Sequence, residues 1–366
     1  MLLPDRRGRL AALLAVAGLI AAACSSNSGA ATTAPSVAGP SASASSEASA
    51  SASGSAAGGA LSVTFIPKQI NNPYFDAAKQ GADKAAGELG GTVTQVGPSA
   101  ATEAQASFIQ DETTKGVSAI AISANDPNAV VPALQAAKAA GIKIVGYDSS
   151  PAVGAYDVFV NQTDFGLIGQ SMADWSCDLA PSCSGEIAIL SAAATATNQN
   201  AWIDTMKTIL AGDKYKGLKL VDTVYGDDDP QKSTTQAQAL LQAHPNLKVI
   251  VAPTTVGILA AAQVVSAAKK SDTVKVTGLG FPNDMKPYVK DGTSPVFGLW
   301  SVPDLGYLAE QVAEKLVSGE IKGTEGETFT VKGLNNDKPY TIGKDSIVVL
   351  GPAFRFDSTN VENFNF

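Results

Sequence analysis

Four side chains with hydrogen-bonding or aromatic character directly follow the first strand that the sequence predicts. In the run 61–75, LSVTFIPKQINNPYF, the strand residues are β-branched or aromatic, and Pro67 stops the strand. The turn at 71–73, Asn-Asn-Pro, precedes a predicted helix that its proline can open. Ligands of open α/β sheets bind beyond the carboxyl ends of the strands. The first candidates for a binding site are therefore Lys68, Asn72, Tyr74 and Phe75.

Polar side chains also follow the later predicted strands. In the first half of the chain they are Ser99, Asn125, Asp126, Asp148 and Ser149. In the second half the strands exit into TATNQN (195–200), GDDD (226–229), PTT (253–255) and GFPN (280–283), and a return strand ends in Trp300. Two alternatives stay open for the charged residues: Asp148 caps a helix, and Lys68 is a solvated charge. For Phe75 and Trp202 the alternative is a place in the core, where most aromatic side chains lie.

Apolar strands alternate with helices along the chain, which predicts parallel sheets covered by helices on both faces. A new series of strand–helix units begins after residue 161, so we predict an α/β fold with two lobes. The first lobe is predicted to hold residues 61–160 plus about 297–340. The second is predicted to hold residues 161–296 plus about 341–366, and a final hairpin is expected around residues 340–350.

The first 60 residues carry the pattern of export and tethering. Within residues 1–24, three arginines precede the apolar run 10–23, as in a secretory signal peptide. The run ends in IAAAC, which resembles the lipobox of bacterial lipoproteins, although Ala21 departs from the usual Leu. This resemblance implies lipidation of Cys24; a plain signal peptide is the alternative. Residues 25–60, rich in Ser, Ala and Gly, are predicted to be a flexible tether.

The charge and the cysteines of the chain limit its possible functions. The chain has 34 acidic residues and 26 Lys or Arg residues, a net charge of −8, which argues against a nucleic-acid partner. In an exported chain the close spacing of Cys177 and Cys183 favours a local disulfide. A metal or redox role is the alternative, but neither cysteine has a nearby His or further Cys that would complete a ligand set.

Three further motifs do not support catalysis. Consecutive carboxylates at 227–229 cannot all point at one Ca²⁺, so we interpret them as a solvated loop from which one Asp reaches a ligand. The stretch Gly278-Leu279-Gly280 lacks the third glycine of a dinucleotide fingerprint. The single His244 is interpreted as a helix-end charge or a solvated ring. No cofactor, metal site or catalytic constellation is predicted, so we do not expect an enzyme.

Eight motifs between residues 61 and 366 resemble one family. In chain order they are FIPK, YDSS, VNQ, ATNQNAW, YGDDDPQKS, APTTVG, PNDMKPYV and FGLW. They resemble type I periplasmic binding proteins that feed sugar ABC importers, especially the rhamnose-binding proteins and the Lsr-type autoinducer-2-binding proteins. The resemblance implies two Rossmann-like lobes joined by a three-crossover hinge, expected near Asn161, Phe297 and Tyr340. It also implies an ABC permease with its ATPase as partners, and we expect a monomer held to the outer face of the cytoplasmic membrane by lipid.

The same resemblance implies particular ligand-binding residues. The Lsr-type Lys after FIP matches Lys68, and the Asp after the fifth strand matches Asp148. The Asp-Gln pair of that group matches Asn198-Gln199, and its Pro-x-Ala matches 253–255. Asn198 and Thr255 therefore depart from the autoinducer-2 pattern, whereas NQNAW and PTTVG resemble the rhamnose-binding group.

The chemistry of these residues suits a monosaccharide. Sugar hydroxyls need donors and acceptors at once, which carboxylate and amide groups supply together with a lysine. The C–H faces of a pyranose, and the C6 methyl of a deoxysugar, pack on aromatic rings. We therefore predict a protein that captures rhamnose or a related deoxysugar, with an autoinducer-2 receptor as the alternative. The predicted site residues are Lys68, Asn72, Tyr74, Phe75, Asp148, Asn198, Gln199, Pro253, Thr255 and Trp300.

Overall fold

The computed structural model describes residues 61–366. The export signal, the lipidation of Cys24 and the tether predicted for residues 25–60 lie outside this range. Within it, none of the helices is long and apolar enough to span a bilayer.

The first segment of the described chain alternates strands and helices. Its elements are β1 (Ser62–Ile66), α1 (Pro73–Leu89), β2 (Thr92–Gln95), α2 (Ala106–Lys115), β3 (Ala119–Ile122), α3 (Val131–Ala139), β4 (Lys143–Tyr147) and β5 (Val158–Asn161). Asn72 caps α1, because its side chain accepts a hydrogen bond from the Tyr74 amide and Pro73 occupies the first turn. The predicted strand–turn–helix unit is thus formed.

Alternate residues of β3 face two different cores. Ala119 and Ala121 belong to a core that includes buried residues of α1. Ile120 and Ile122 belong to a second core, with Ile109 of α2 and other apolar residues. Because successive side chains of a strand point to opposite faces, helices cover both faces of this sheet. This explains why β3 is apolar throughout.

The second segment repeats the construction. Its elements are α4 (Phe165–Leu179), β6 (Gly185–Ser191), α5 (Thr197–Leu210), β7 (Leu218–Tyr225), α6 (Pro230–Ala243), β8 (Leu247–Ala252), α7 (Thr255–Ala267), β9 (Lys275–Gly278), α8 (Pro282–Lys290) and β10 (Val296–Leu299). Strands β7, β6, β8 and β9 form a parallel sheet in that order. A parallel bridge between Leu279 and Gly298 places β10 beside β9.

The remaining chain returns to the first lobe and then to the second. Its elements are α9 (Val302–Ser318), β11 (Thr328–Phe329), β12 (Tyr340–Thr341), β13 (Ile347–Val349) and β14 (Phe354–Asp357). Strand β13 pairs in parallel with β5 and completes the six-stranded first sheet, β13-β5-β4-β3-β1-β2. Strand β14 pairs antiparallel with β10. The chain therefore passes between the lobes three times, at residues 162–164, 300–301 and 350–353.

These pairings differ from three predictions made from the sequence. Strand β10 lies in the second lobe, although residues from 297 were assigned to the first. Strand β13 lies in the first lobe, although residues 341–366 were assigned to the second. The expected hairpin around 340–350 was wrong, because β12 pairs with β11 and β13 with β5. Short apolar strands can pair with several partners, so their sheet is decided by the crossovers.

The hinge positions shift accordingly. Asn161 ends β5 and directly precedes the first crossing, and its carbonyl accepts a hydrogen bond from the Leu350 amide at the third crossing. Phe297 instead lies inside β10, and Tyr340 lies in β12, well before the third crossing. The first and third crossings thus run side by side.

Helix α9 packs against α1 at two glycines. A Cβ on Gly81 would lie 1.7 Å from the Pro303 carbonyl oxygen, and a Cβ on Gly306 would lie 1.8 Å from that of Ala78. Only glycine allows the two backbones to approach this closely. The contact attaches α9 firmly to the first lobe. Glu310 of the same helix is fully buried, and neither of its carboxylate oxygens has a hydrogen-bond partner in the described chain.

The second lobe carries a disulfide at its surface. The structure joins Cys177, near the end of α4, to Cys183, in the turn before β6. The local pairing expected from the spacing is present in the structure.

Candidate functional site

A cavity lies between the lobes, beyond the carboxyl ends of strands from both sheets. The space in it that a water-sized sphere can enter is about 30 Å³, room for only a few water molecules, so side chains of the two lobes nearly fill it. The ten residues predicted from the sequence all line it: Lys68, Asn72, Tyr74, Phe75, Asp148, Asn198, Gln199, Pro253, Thr255 and Trp300. Five others line it as well: Trp202, Asp228, Thr254, Leu279 and Leu299.

Asp148 is the most extensively bonded side chain of the cavity. The Tyr74 hydroxyl (3.1 Å) and Asn198 Nδ2 (3.0 Å) donate to its Oδ1, and the Ser123 hydroxyl donates to its Oδ2 at 2.7 Å. Lys68 Nζ lies 3.5 Å from Oδ2. The residue follows β4 with φ of +58°, a conformation that Asp tolerates better than most residues. Its side chain therefore faces the cavity and does not cap a helix.

Lys68 is buried, with 3% of its surface exposed, so it is not a solvated surface charge. Its Nζ donates to Asn198 Oδ1 at 3.2 Å, in addition to its ion pair with Asp148. The backbone of Lys68 is also fixed, because Asn125 Nδ2 donates to the Lys68 carbonyl at 2.7 Å. A buried ammonium group is tolerated when it is paired and hydrogen-bonded in this way.

Aromatic rings form one wall of the cavity. Tyr74 packs edge-on against Phe75 and Trp300, with centroid distances of 5.2 and 6.2 Å. Trp202 packs against Trp300 at 5.7 Å, and Trp300 Nε1 donates to the Tyr74 hydroxyl at 3.1 Å. Phe75 and Trp202 are thus both core residues and cavity residues. Burial, followed by the charge of Asp148, raises the pKa of Tyr74 well above its ordinary value, so Tyr74 is a neutral donor.

Two amides at the start of α5 face the cavity from the second lobe. Gln199 Oε1 accepts from the Ser191 hydroxyl and from the Ala192 amide, both at 3.0 Å. These bonds fix the orientation of the Gln199 amide. Asn198 Oδ1 accepts a hydrogen bond from the backbone N–H of Gln199 at 2.9 Å. The Asn-Gln pair is therefore held in one geometry by its own strand and helix.

The three consecutive aspartates point to three different partners. Asp227 forms a surface ion pair with Lys232. Asp229 caps α6 by accepting from the Lys232 amide at 2.6 Å. Asp228 turns inward, is 7% exposed and accepts a hydrogen bond from the Thr254 hydroxyl. Burial raises the pKa of the Asp228 carboxyl, whereas Lys68 opposes the shift. The Asp-Pro step that begins α6 is the signal that could have separated Asp229, a cap, from Asp228.

Hydrogen bonds also cross the mouth of the cavity. Gln69 Nε2 donates to the Asp228 carbonyl at 2.9 Å, and the Thr195 hydroxyl donates to the Asn125 carbonyl at 2.7 Å. Together with the Lys68–Asn198 bond, they hold the lobes in a closed arrangement. In both hydrogen bonds at the mouth, the acceptor is a backbone carbonyl.

The other motifs lie outside the cavity. The glycine at 278 serves packing, because a Cβ there would lie 1.9 Å from the Ala252 carbonyl oxygen. His244 ends α6, and its Nε2 lies 3.3 Å from Asp222 Oδ2. Within residues 61–366, no group of three or more His, Cys, Asp or Glu side chains is arranged to hold a metal ion.

The fold and cavity correspond to a known family. A family model described as periplasmic binding protein domain matches residues 63–321. The chain belongs to this family of solute-binding proteins. The predicted family and the predicted α/β fold of two lobes with parallel sheets are thus confirmed.

Three solved structures are similar over most of this chain. An ABC transporter solute-binding protein from Clostridium phytofermentas, with bound L-rhamnose, is 40% identical with a TM-score of 0.80, covering 83% of this chain and 98% of its own. A sugar ABC transporter protein from Actinomyces odontolyticus is 47% identical, with a TM-score of 0.67 and coverage of 84% and 98%. LsrB from Clostridium saccharobutylicum, in complex with AI-2, is 25% identical, with a TM-score of 0.77 and coverage of 84% and 100%.

Proposed function

We propose that this protein captures a monosaccharide, rhamnose or a related deoxysugar, between its lobes and delivers it to an ABC import permease. The observation that carries the proposal is one cavity between the lobes, lined by a lysine, two carboxylates, three amide side chains and an aromatic wall. Such groups donate to and accept from sugar hydroxyls, and the rings cover the C–H face. The groups come from both lobes, so a ligand contacts the complete set only when the lobes are closed.

The similar structure with bound L-rhamnose supports a deoxysugar as the ligand, since it is 40% identical and covers 83% of this chain. The aromatic wall is also consistent with a C6 methyl group. Phe75 has no polar side-chain atom, and the polar atoms of Tyr74 and Trp300 are bonded, so these three rings present an apolar surface.

An autoinducer-2 receptor is the second candidate, because LsrB has the same fold with a TM-score of 0.77. Two residues argue against it. Asn198 stands where the Lsr-type pattern has a carboxylate, and Thr255 stands where it has alanine. Asn198 donates through Nδ2 to Asp148 at 3.0 Å, which a carboxylate in its place would not do.

The proposal includes an extracytoplasmic location, an anchor on Cys24 and function as a monomer beside a permease and its ATPase. The apolar run 10–23 ending at Cys24 and the 25–60 segment support export and a tether. Metabolic labelling with a fatty acid tests the anchor: the label should appear in the full-length protein and disappear in Cys24→Ser. Labelling that persists in the variant excludes lipidation at this residue.

Titration calorimetry with the full-length protein tests the ligand. L-Rhamnose, other neutral deoxysugars, ribose and autoinducer-2 would be compared under one condition. We expect the tightest binding for a deoxysugar. Tight autoinducer-2 binding without any sugar binding would favour the second candidate, and binding of none of the compounds would refute the proposed function.

A further inference from the structure

The side chains of the cavity differ in whether their polar atoms already have partners. Both oxygens of Asp148 are occupied, by hydrogen bonds from Tyr74, Ser123 and Asn198 and by the ion pair with Lys68. These groups form one network, in which each oxygen of Asp148 already accepts at least one hydrogen bond.

Asp228 lies outside this network. Its Oδ1 accepts from the Thr254 hydroxyl, and within residues 61–366 no group donates to its Oδ2. The residue is nevertheless buried and lines the cavity. Its neighbours in sequence are occupied elsewhere, Asp227 by Lys232 and Asp229 by the start of α6. Asp228 is therefore the carboxylate in this cavity with an oxygen to which no group of residues 61–366 donates.

Trp202 has an unpaired donor, whereas Asp228 has an unpaired acceptor. Its side chain is 1% exposed and lines the cavity, and its Nε1 has no hydrogen-bond partner within the described chain. The indole N–H can only donate. An unpaired buried donor costs free energy, so native proteins rarely keep one without a reason. In contrast, the neighbouring Trp300 uses its Nε1 to donate to Tyr74.

We propose that Asp228 and Trp202 are specificity-determining residues: Asp228 Oδ2 accepts a hydrogen bond from a ligand hydroxyl, and Trp202 Nε1 donates to a ligand oxygen. The pair selects a neutral polyhydroxy ligand and rejects an acidic sugar. This inference rests on the proposed function and names the chemical class of its ligand more narrowly.

The charges of the cavity explain the rejection of acids. Three charged side chains line it, Lys68, Asp148 and Asp228, so two carboxylates face one ammonium group. Lys68 is already paired with Asp148, at 3.5 Å, and bonded to Asn198. A ligand carboxylate would meet like charge in a buried place, and it has no proton to donate to Asp228 Oδ2. A hydroxyl at the same position provides the proton without the charge.

Calorimetry with matched ligands tests this inference on the full-length protein. L-Rhamnose is compared with L-mannuronamide and L-mannuronate, which share its ring configuration and differ from one another in charge at C6. The unmodified protein should bind the uronate at least about 100-fold more weakly than the uronamide. Equal binding of the two would overturn the inference while leaving sugar binding intact.

Variants separate the roles of the residues. Asp228→Asn should weaken L-rhamnose binding by about 10- to 100-fold and narrow the difference between uronamide and uronate. Trp202→Phe, which keeps a ring and removes the N–H, should weaken L-rhamnose binding by about 5- to 20-fold. Asp227→Asn makes the same charge change one residue away on the surface ion pair and should alter neither quantity.

Thermal unfolding of each variant shows whether it is folded, and the ligand comparison in the unmodified protein does not depend on any variant. L-Rhamnose binding that is unchanged in both Asp228→Asn and Trp202→Phe would overturn the inference alone. Failure of the unmodified protein to bind any neutral monosaccharide would overturn both the inference and the proposed function.

Discussion

The two sides of the cavity differ in how far their polar groups satisfy one another. On the first-lobe side, Asp148 and Tyr74 have partners for their polar atoms, and Lys68 is paired. On the second-lobe side, Asp228 Oδ2 and Trp202 Nε1 have no partners within residues 61–366. The first lobe therefore contributes mainly paired polar groups to the site, and the second lobe contributes a donor and an acceptor without partners.

This difference suggests a division between positioning and recognition. A closed network in a low-dielectric interior is rigid, and losing one member leaves the others unpaired. Atoms without partners can instead form new bonds at little cost to the protein. Changes on the first-lobe side should therefore affect stability as well as binding, whereas changes on the second-lobe side should affect mainly binding.

The largest effect is expected from Asp148→Ala. It leaves the Lys68 ammonium buried without its carboxylate, and breaking a buried pair in this way costs about 3–5 kcal/mol of stability. Binding should fall by about 100-fold or more. Urea unfolding and calorimetry measure the two effects, with Asp111→Ala on the exposed surface of α2 as the control. A loss of binding with unchanged stability would contradict the division.

Glu310 tests the value of pairing at a second buried carboxylate of the first lobe. Burial, with a smaller contribution from Asp83, raises the pKa of Glu310 to about 8. The folded protein then holds a proton that the unfolded chain releases above its ordinary pKa of about 4.5. The contribution of Glu310 to stability should therefore be fully present below about pH 4.5 and be lost as pH rises to about 8, by about 1.4 kcal/mol per pH unit at most.

Glu310→Gln should remove this dependence and stabilise the protein above pH 8, by a few kcal/mol relative to the carboxylate. Urea unfolding at pH 5 and pH 9 measures it. Glu314→Gln on the same helix, which is only half-buried, is the matched control and should leave the slope unchanged. The same slope in Glu310→Gln as in the unmodified protein would show that another group titrates.

Asn198→Asp sharpens the comparison at the point where the two sides meet. The donor that lies 3.0 Å from Asp148 Oδ1 becomes a like charge, so the network and the closed arrangement should weaken. L-Rhamnose affinity should fall by about 10-fold or more, and preference should move toward autoinducer-2. Asn200→Asp, on the same helix but outside the cavity, is the control. Undiminished rhamnose affinity in Asn198→Asp would exclude this residue from ligand selection.

The smallest effect is expected at the mouth of the cavity. Thr195→Val removes the partly buried hydrogen bond from the exposed Thr195 to the Asn125 carbonyl, which joins the lobes. The loss should be at most about 1 kcal/mol, or about 5-fold in sugar affinity. Thr208→Val, which removes a bond within α5, is the control. Calorimetry measures the sugar affinity of both variants. A loss of affinity in Thr195→Val as large as that in Asp148→Ala would place ligand recognition at the mouth of the cavity.

The sequence predicts local structure and strand ends well, because both depend on neighbouring residues. Asn72-Pro73 identifies the start of α1, and polar residues after apolar strands identify the cavity. All ten predicted site residues line one cavity for this reason. Parallel strands bring their carboxyl ends to one edge, so a candidate found on one strand lies near candidates on the others.

The sequence does not predict which strands and side chains pair when they lie far apart along the chain. The strand Ile347–Val349 has three residues and no pattern that distinguishes pairing with β5 from a hairpin with β12. The sequence does not separate Asp228 from Asp227, because the partner that distinguishes Asp228, Thr254, comes from another strand end. The unpaired Nε1 of Trp202 depends on the packing of several elements and has no signal in the sequence.

The position of β13 has a consequence for folding. Its partner β5 ends at Asn161, and nearly the whole second lobe lies between the two strands in the chain. The first sheet thus lacks an edge strand until almost the entire polypeptide has been made. Contacts of such long sequence separation are slow to form, and an unfinished parallel sheet exposes an edge to aggregation. The first lobe therefore cannot be completed before the C-terminal residues have been made.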